Sequence, residues 1–175
     1  MNVLIIGPSG SGKSTIGRLL RKRGYNFVEA DTDKYKGKSI AYFRNKDTGE
    51  GVNMPWPRPE HWQEENDWVW RTELIKSQLA DWKDQTNFVC GEAHNKHEAY
   101  PLFDKIFALS TDKDTLKQRV EARKDNYFGK TDEQLAWIVS ENKRLKLEAK
   151  RANAVIIDAS KSPEEITAII LKELV

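Results

Sequence analysis

The chain holds one cysteine, Cys90, among its 175 residues. No internal disulfide can form, so a reducing compartment is expected and the fold must rest on its core. An excess of charge of either sign is also missing. With 29 basic and 27 acidic side chains the formal net charge is +2, which gives no global reason to expect nucleic acid or an anionic membrane as partner. No stretch approaches the roughly 20 apolar residues of a membrane helix. The N-terminal run Val3 to Ile6 is too short for a secretory leader and leads straight into a glycine loop. Repeats and low-complexity tracts are absent. A soluble, cytoplasmic chain, long enough for one domain with its own core, is the expectation.

What is present begins with short apolar runs that read as buried strands: Val3 to Ile6, Phe27 to Ala30, Phe88 to Cys90, Ile106 to Leu109 and Val155 to Ile157. Helical spacing fills the gaps, so the pattern predicts an α/β fold, a parallel sheet with helices on both faces. The first helix is expected from about Lys13 to Arg23, stopping at Gly24, and another from about Asp112 to Lys124. Thr131 to Gln134 reads as a capping box, and Ser162 with Pro163 and Glu165 opens the last helix. Residues 39–58 carry glycines and prolines and read as a long functional loop. A helix is expected over residues 60–84, its stripe of Trp68, Ile75, Leu79 and Trp82 facing the core.

Residues 7–15 read GPSGSGKST, a full match to G-x-x-x-x-G-K-[ST] after an apolar strand and before a helix. Gly7, Gly10 and Gly12 let the backbone of Pro8, Ser9 and Ser11 curl around phosphates without a Cβ clash. Lys13 supplies a cation at the β/γ-phosphates, Ser14 offers a hydroxyl to Mg²⁺, and the helix start at Ser14 and Thr15 adds positive dipole. ATP and Mg²⁺ are the expected cofactors.

Glu29, Asp31 and Asp33 follow the second strand, and strand C-termini of such sheets border the ligand crevice. Two acids one residue apart divide the work, one holding the Mg²⁺ shell and the other taking a proton from an acceptor hydroxyl. Asp31 is assigned to catalysis and, with Ser14, to the metal; Asp33 is assigned to the substrate. The competing reading is a solvated turn with an Asp cap. Arg119 and Arg123 share a helix face four residues apart, ahead of the polar segment Lys124 to Lys130. They read as hinge arginines, with Arg123 catalytic and Arg119 binding the nucleotide, of a lid over about 124–132 that closes on the phosphates. An ordinary basic helix end competes with that reading. A zinc site around Cys90, His94 and His97 lacks paired ligands; Glu92, His94 and Asn95 instead read as lining an acceptor pocket. Trp56 and Trp62, in or beside the Pro-rich loop, read as candidate substrate contacts, with Trp56 favoured, in the expected insertion over about 34–66.

Together these features resemble the small P-loop kinases of the nucleoside and nucleotide kinase group, which includes adenylate, shikimate and gluconate kinases. The likeness spans nearly the whole chain and is most specific at the phosphate loop. The stretches MPWPRPEHW, NFVCGEAHN and RKDNYFGKTDEQLA also look like those of bacterial proteins described as ATP-binding or kinase-like. The resemblance implies a three-layer fold with five parallel strands ordered 2-3-1-4-5, and an adenine pocket partly in the loop Ala159, Ser160 and Lys161. It departs at Cys90-Gly91-Glu92, where nucleoside monophosphate kinases carry Asp-Gly, and it lacks the glycine-rich third-strand loop of shikimate kinases. Lys143 and Arg144 also sit farther along than adenylate kinase's lid arginines. The implied activity is transfer of the γ-phosphoryl group of Mg-ATP to a small metabolite. A nucleoside or nucleotide is the first expectation, and a sugar acid or similar alcohol the second. A nucleotide-binding regulatory protein and a polynucleotide 5′-end kinase are the alternatives, and the oligomeric state stays open.

Overall fold

Apolar runs buried on both faces need partners on both edges, and here they find each other. The computed structural model describes residues 1–124 and 127–175. Its first half runs β1 (Asn2–Ile6), α1 (Lys13–Lys22), β2 (Asn26–Glu29), β3 (Lys34–Tyr35), β4 (Lys38–Ser39), β5 (Ala41–Asn45) and β6 (Gly51–Val52). Then come α2 (Trp62–Glu65), β7 (Asn66–Trp70), α3 (Thr72–Asp81), β8 (Asn87–Gly91) and a 3₁₀ turn at Lys96–Leu102. The chain continues through β9 (Lys105–Ser110), α4 (Lys113–Ala122), α5 (Asp132–Arg151), β10 (Val155–Asp158) and α6 (Pro163–Lys172). The parallel sheet is ordered β10-β9-β1-β8-β2. Counted within that sheet alone this is 2-3-1-4-5; the five remaining strands lie in two antiparallel sheets.

Alternation along the strands divides the core. Leu4, Ile6, Val28 and Val89 meet Ile75 and Leu79 of α3 and Leu145 and Ala149 of α5. On the other face Val3, Ile5, Phe27 and Phe88 meet Ile16 and Leu20 of α1 and Ile166 and Ile170 of α6. Gly17 makes one of these contacts possible: a Cβ there would lie 1.9 Å from the Phe27 ring. A third, small cluster of Leu116, Val120 and Ile138 joins α4 to α5. Helix starts follow local chemistry. Asp112 caps α4 through Thr115 N–H, and Ser162 with Glu165 forms a complete capping box at α6. At α5 only half of the expected box forms. Thr131 accepts from Gln134 N–H, while the Gln134 carboxamide accepts from Gly129 N–H at 2.7 Å.

Two sequence expectations fail in the same place. The helix over 60–84 is instead α2, β7 and α3, and the loop over 39–58 contains β5 and β6. β7 pairs antiparallel with β5 from Ala41↔Trp70 to Asn45↔Asn66. Trp68, Val69 and Trp70 favour extended backbone, and their partner strand lies more than twenty residues upstream, so helical spacing across Trp68 and Ile75 is a coincidence of register. Ile75 and Leu79 do reach the core, whereas Trp68 sits on another element.

Candidate active site

Between β1 and α1 the glycine loop bends through positive φ at Gly10 (87°) and Gly12 (96°). α1 therefore starts on Gly12 without any side-chain cap, and its first N–H groups have no partner within the helix. Such a start suits an anion. Ser11 Oγ is buried in the loop with no hydrogen-bond partner among the described residues, and a Cβ at Gly7 would sit 2.7 Å from it. Lys13 is 9% exposed, and its ammonium donates to the Gly7 carbonyl at 2.6 Å and to that of Pro8 at 3.1 Å. The cation is thus held over the loop mouth. Ser14 Oγ donates to the Glu29 carboxylate. A hydroxyl against a carboxylate beside a phosphate-binding loop is a hard oxygen donor set, which fits Mg²⁺.

Asp31 follows β2 and is held from three sides. Its Oδ1 accepts from the indole N–H of Trp70 at 3.1 Å and of Trp68 at 3.3 Å. Glu92 N–H donates to both carboxylate oxygens, at 3.2 and 3.0 Å. Burial raises the Asp31 pKa, and the Lys13 charge and these donors oppose the rise. Gly91 allows this packing, since a Cβ there would come within 2.7 Å of Trp70 and 2.8 Å of Asp31 Oδ1. After β8, Glu92 pairs with Lys96 at 2.5 Å, and Lys96 pairs with Glu148 at 2.8 Å. Burial pushes the Glu92 carboxyl up to about 7 against the pull of Lys96.

A cavity of about 690 Å³ opens from this floor. Lys13, Asp31 and Glu92 line its base, and Tyr42, Phe43, Arg58, Trp68 and Arg71 line the wall from the insertion. Phe128, Trp137 and Arg144 close the side toward α5. From the end of α4, Arg123 donates to Ser9 Oγ at 2.9 Å and to the Phe128 carbonyl, so it joins the phosphate loop to the segment expected as a lid. Arg119 donates to the Ala159 carbonyl at 2.7 Å, which ties α4 to the loop after β10. The α4 carbonyl end is satisfied by Lys130, whose ammonium takes those of Val120, Glu121 and Arg123. Neither arginine is spent on that task.

Residues 3–153 match the family model described as an AAA domain. The chain belongs to this AAA-domain family. No curated protein matches it by sequence. Among solved structures, shikimate kinase from Acinetobacter baumannii in complex with shikimate is similar at 15% identity and TM-score 0.63 over 99% of this chain and 92% of that one. A sugar kinase from a Janibacter species is similar at 19% identity and TM-score 0.59, covering 99% and 93%. Deoxyadenosine kinase from M. mycoides with bound dATP is similar at 14% identity and TM-score 0.55, covering 99% and 98%. The AAA-domain chain therefore has the fold of the small P-loop kinases.

Within this AAA domain the expected site residues separate into two groups. Pro8, Ser9, Lys13, Asp31, Glu92 and His94 line the cavity together. Others do not. The Asp33 carboxylate accepts from Glu29 N–H at 2.8 Å and faces Arg21 at 4.0 Å, so it braces its own turn. Asn95, 5% exposed, accepts from Trp70 N–H and donates to the Trp70 carbonyl, pinning β7 beside β8. Trp56 is 73% exposed and meets the ring of Tyr127 at 5.8 Å outside the cavity. Thr15 lies exposed on α1, and Ser160 and Lys161 sit at the surface beyond β10. Asp125 and Asn126, inside the expected lid, lie outside the described residues. No helix among the described residues is long and apolar enough to cross a membrane. Sequence reasoning did not single out Glu29 beside Ser14, nor Trp68 and Trp70 as donors to Asp31. Glu29 ends β2 itself and was legible; the indoles depend on a pairing between distant strands.

Proposed function

We propose that this protein is a Mg-ATP-dependent kinase that transfers the γ-phosphoryl group to a hydroxyl of a small metabolite, acting in the cytoplasm. The observation that carries the reading is that Lys13 of the phosphate loop and Asp31 line one cavity whose far wall comes from the insertion. A protein that only senses a nucleotide has no need of a cavity that reaches from the phosphate loop to the insertion. The backbone N–H groups at the α1 start and Lys13 bind the phosphates. Ser14 and Glu29 would hold Mg²⁺, which supplies charge neutralisation at the β- and γ-phosphates. Arg119 and Arg123 add cations from the α4 side. Asp31, fixed by the two indoles and Glu92 N–H, orients the acceptor hydroxyl and receives its proton as the oxygen bonds to the γ-phosphorus. The bond between that phosphorus and the β–γ bridging oxygen breaks, and ADP leaves. Catalysis is mostly positioning and charge stabilisation. A nucleoside or nucleotide, or a sugar acid, is the acceptor on this reading.

The test is ADP formation with Mg-ATP against a panel of nucleosides, nucleoside monophosphates, sugar acids, sugar alcohols and a 5′-hydroxyl oligonucleotide. Thermal shift with Mg-ATP runs in parallel, since a ligand bound only by the native state raises stability. Lys13→Ala is expected to fold and to lose the shift. Absence of any shift in the wild-type protein at millimolar Mg-ATP ends the kinase reading.

A further inference from the structure

The net charge of +2 conceals a local asymmetry. Residues 18–38 carry seven basic and three acidic side chains, which leaves 22 basic and 24 acidic in the rest of the chain. Exposure sharpens the division. Arg18, Arg21, Lys22 and Arg23, on or just after α1, are exposed, and so are Lys34, Lys36 and Lys38 of the β3–β4 hairpin. Glu29, Asp31 and Asp33 are not exposed. Glu29 takes the Ser14 hydroxyl, Asp31 takes the indoles of Trp68 and Trp70, and Asp33 takes Glu29 N–H. Every exposed charge in this segment is therefore positive.

The fold joins the two halves of the patch at β2, an edge strand of the parallel sheet. Arg21 is the link. Its guanidinium lies over the Phe27 ring at 5.2 Å, donates to the Phe27 carbonyl at 2.9 Å, and stands 4.0 Å from Asp33, the residue before the hairpin. Asp81, outside the segment, lies 3.8 Å from Lys36. Among the described residues Lys22, Arg23, Lys34 and Lys38 have no ion pair. Like charges gathered on one face repel one another, and a polyanion relieves that repulsion. The patch also lacks what other partners need. No large apolar side chain between residues 18 and 38 is exposed. A membrane surface calls for an apolar wedge, a protein interface for aromatic or aliphatic anchors, and an unpaired strand for rings on which its bases stack. The backbone of a duplex, with one charge per about 1.7 Å of axis, calls only for cations.

We propose that the basic face formed by the end of α1 and the β3–β4 hairpin docks the phosphate backbone of a nucleic-acid duplex, without reading its sequence. The inference goes beyond the kinase reading and does not rest on it. Lys38 and Thr32 line the cavity, so the docked backbone borders its mouth.

Fluorescence anisotropy with labelled DNA and RNA duplexes of about 20 base pairs, between about 50 and 200 mM salt, tests this. Micromolar binding is expected at the low end. Its log–log salt slope should be about −3.5 to −5.5, the value for four to six phosphate contacts. Binding of either duplex supports the proposal, and the tighter one names the kind. The triple variant Lys22→Gln, Arg23→Gln and Lys34→Gln should weaken binding by about 10- to 100-fold and flatten the slope by about 3. Lys143, Lys146 and Lys150 are exposed on α5; changing all three to Gln removes the same charge and should leave the affinity nearly unmoved. Melting of both triple variants, and their thermal shift with Mg-ATP, show that they fold and report on the kinase reading separately. Equal losses in the two triple variants, no duplex binding at about 50 mM salt, or binding insensitive to salt overturns the proposal. Tighter binding to a single strand of the same length, to polyglutamate, or to equimolar phosphatidylcholine and phosphatidylserine vesicles overturns it as well.

Discussion

Arg123 and Glu92 carry the sharpest residue-scale expectations. Arg123 bridges Ser9 and the Phe128 carbonyl, and on the proposed kinase reading its charge would stand beside the phosphate loop where the transferring group becomes more negative. Contacts strengthened in the transition state lower the barrier more than they tighten ground-state binding. Arg123→Ala should therefore cut kcat by about 10²–10³-fold, the scale of one lost charge-stabilising donor, with a smaller change in KM for ATP. Arg123→Lys should recover only part, because the planar fork is gone. Unchanged kcat in Arg123→Ala would return the residue to an architectural role. For Glu92 the prediction concerns pH. Its folded pKa is raised from 4.5 to about 7, chiefly by burial, so the folded state keeps the proton longer than the unfolded chain. The stability this adds is complete below the ordinary carboxylate range and is lost as pH rises toward about 7. Melting temperature of the wild type should fall between pH 5 and 7.5 relative to Glu92→Gln; parallel curves would refute the shift.

At the scale of elements, the α1–β2 contact packs the helix that follows the phosphate loop against the sheet. Gly17 lets the helix press on Phe27, and an added Cβ has the ring rather than solvent as neighbour. Gly17→Ala should destabilise by about 2 kcal/mol or more through overpacking, lowering the melting temperature by roughly 5 °C in a chain of this size. Phe27→Leu in the Gly17→Ala background should give back part of the loss, since the two sites share one contact. Strict additivity of the two changes would show that the clash is relieved elsewhere. The β5–β7 pairing matters in the same way for chemistry. It delivers Trp68 and Trp70 to Asp31, and Asn95 fastens β7 to the chain beyond β8.

For the whole molecule, the insertion touches the stretch from Tyr127 to the first turn of α5. Arg58 lies over Phe128, Trp56 meets Tyr127, and His61 faces Glu133 at 3.8 Å. On the proposed kinase reading, nucleotide and acceptor sites joined by such contacts should bind their ligands cooperatively, and coupling of this kind is reciprocal. Affinity for the best acceptor should rise at least about 5-fold when Mg-ADP is present. Trp56→Ala, which removes an exposed ring, should weaken that coupling while leaving the melting temperature of the free protein nearly unchanged. Titration of acceptor with and without Mg-ADP decides it; equal affinities in the wild type would leave the contact without consequence.

Much of this was written locally. The strands of the parallel sheet are continuous apolar runs, the helix caps at Asp112, Thr131 and Ser162 are short-range hydrogen bonds, and the phosphate loop is a contiguous stretch whose glycines need no distant partner. Such features follow from neighbours within a few residues, so the α/β fold class and the loop's position were legible before any contact was known. The acceptor side was not. Within residues 34–70, β7 pairs with β5, a strand more than twenty residues upstream, and the mixed polarity of the segment mimics both a loop and a helical stripe. Asp31 reads as a site residue from its strand-end position, but only folding brings two indoles and the Glu92 amide onto its carboxylate. Asp33, two residues on, has the same local chemistry and turns back to cap Glu29 N–H. Local sequence cannot separate the two, because which carboxylate faces the cavity depends on the packing of β7 against β5 and β8.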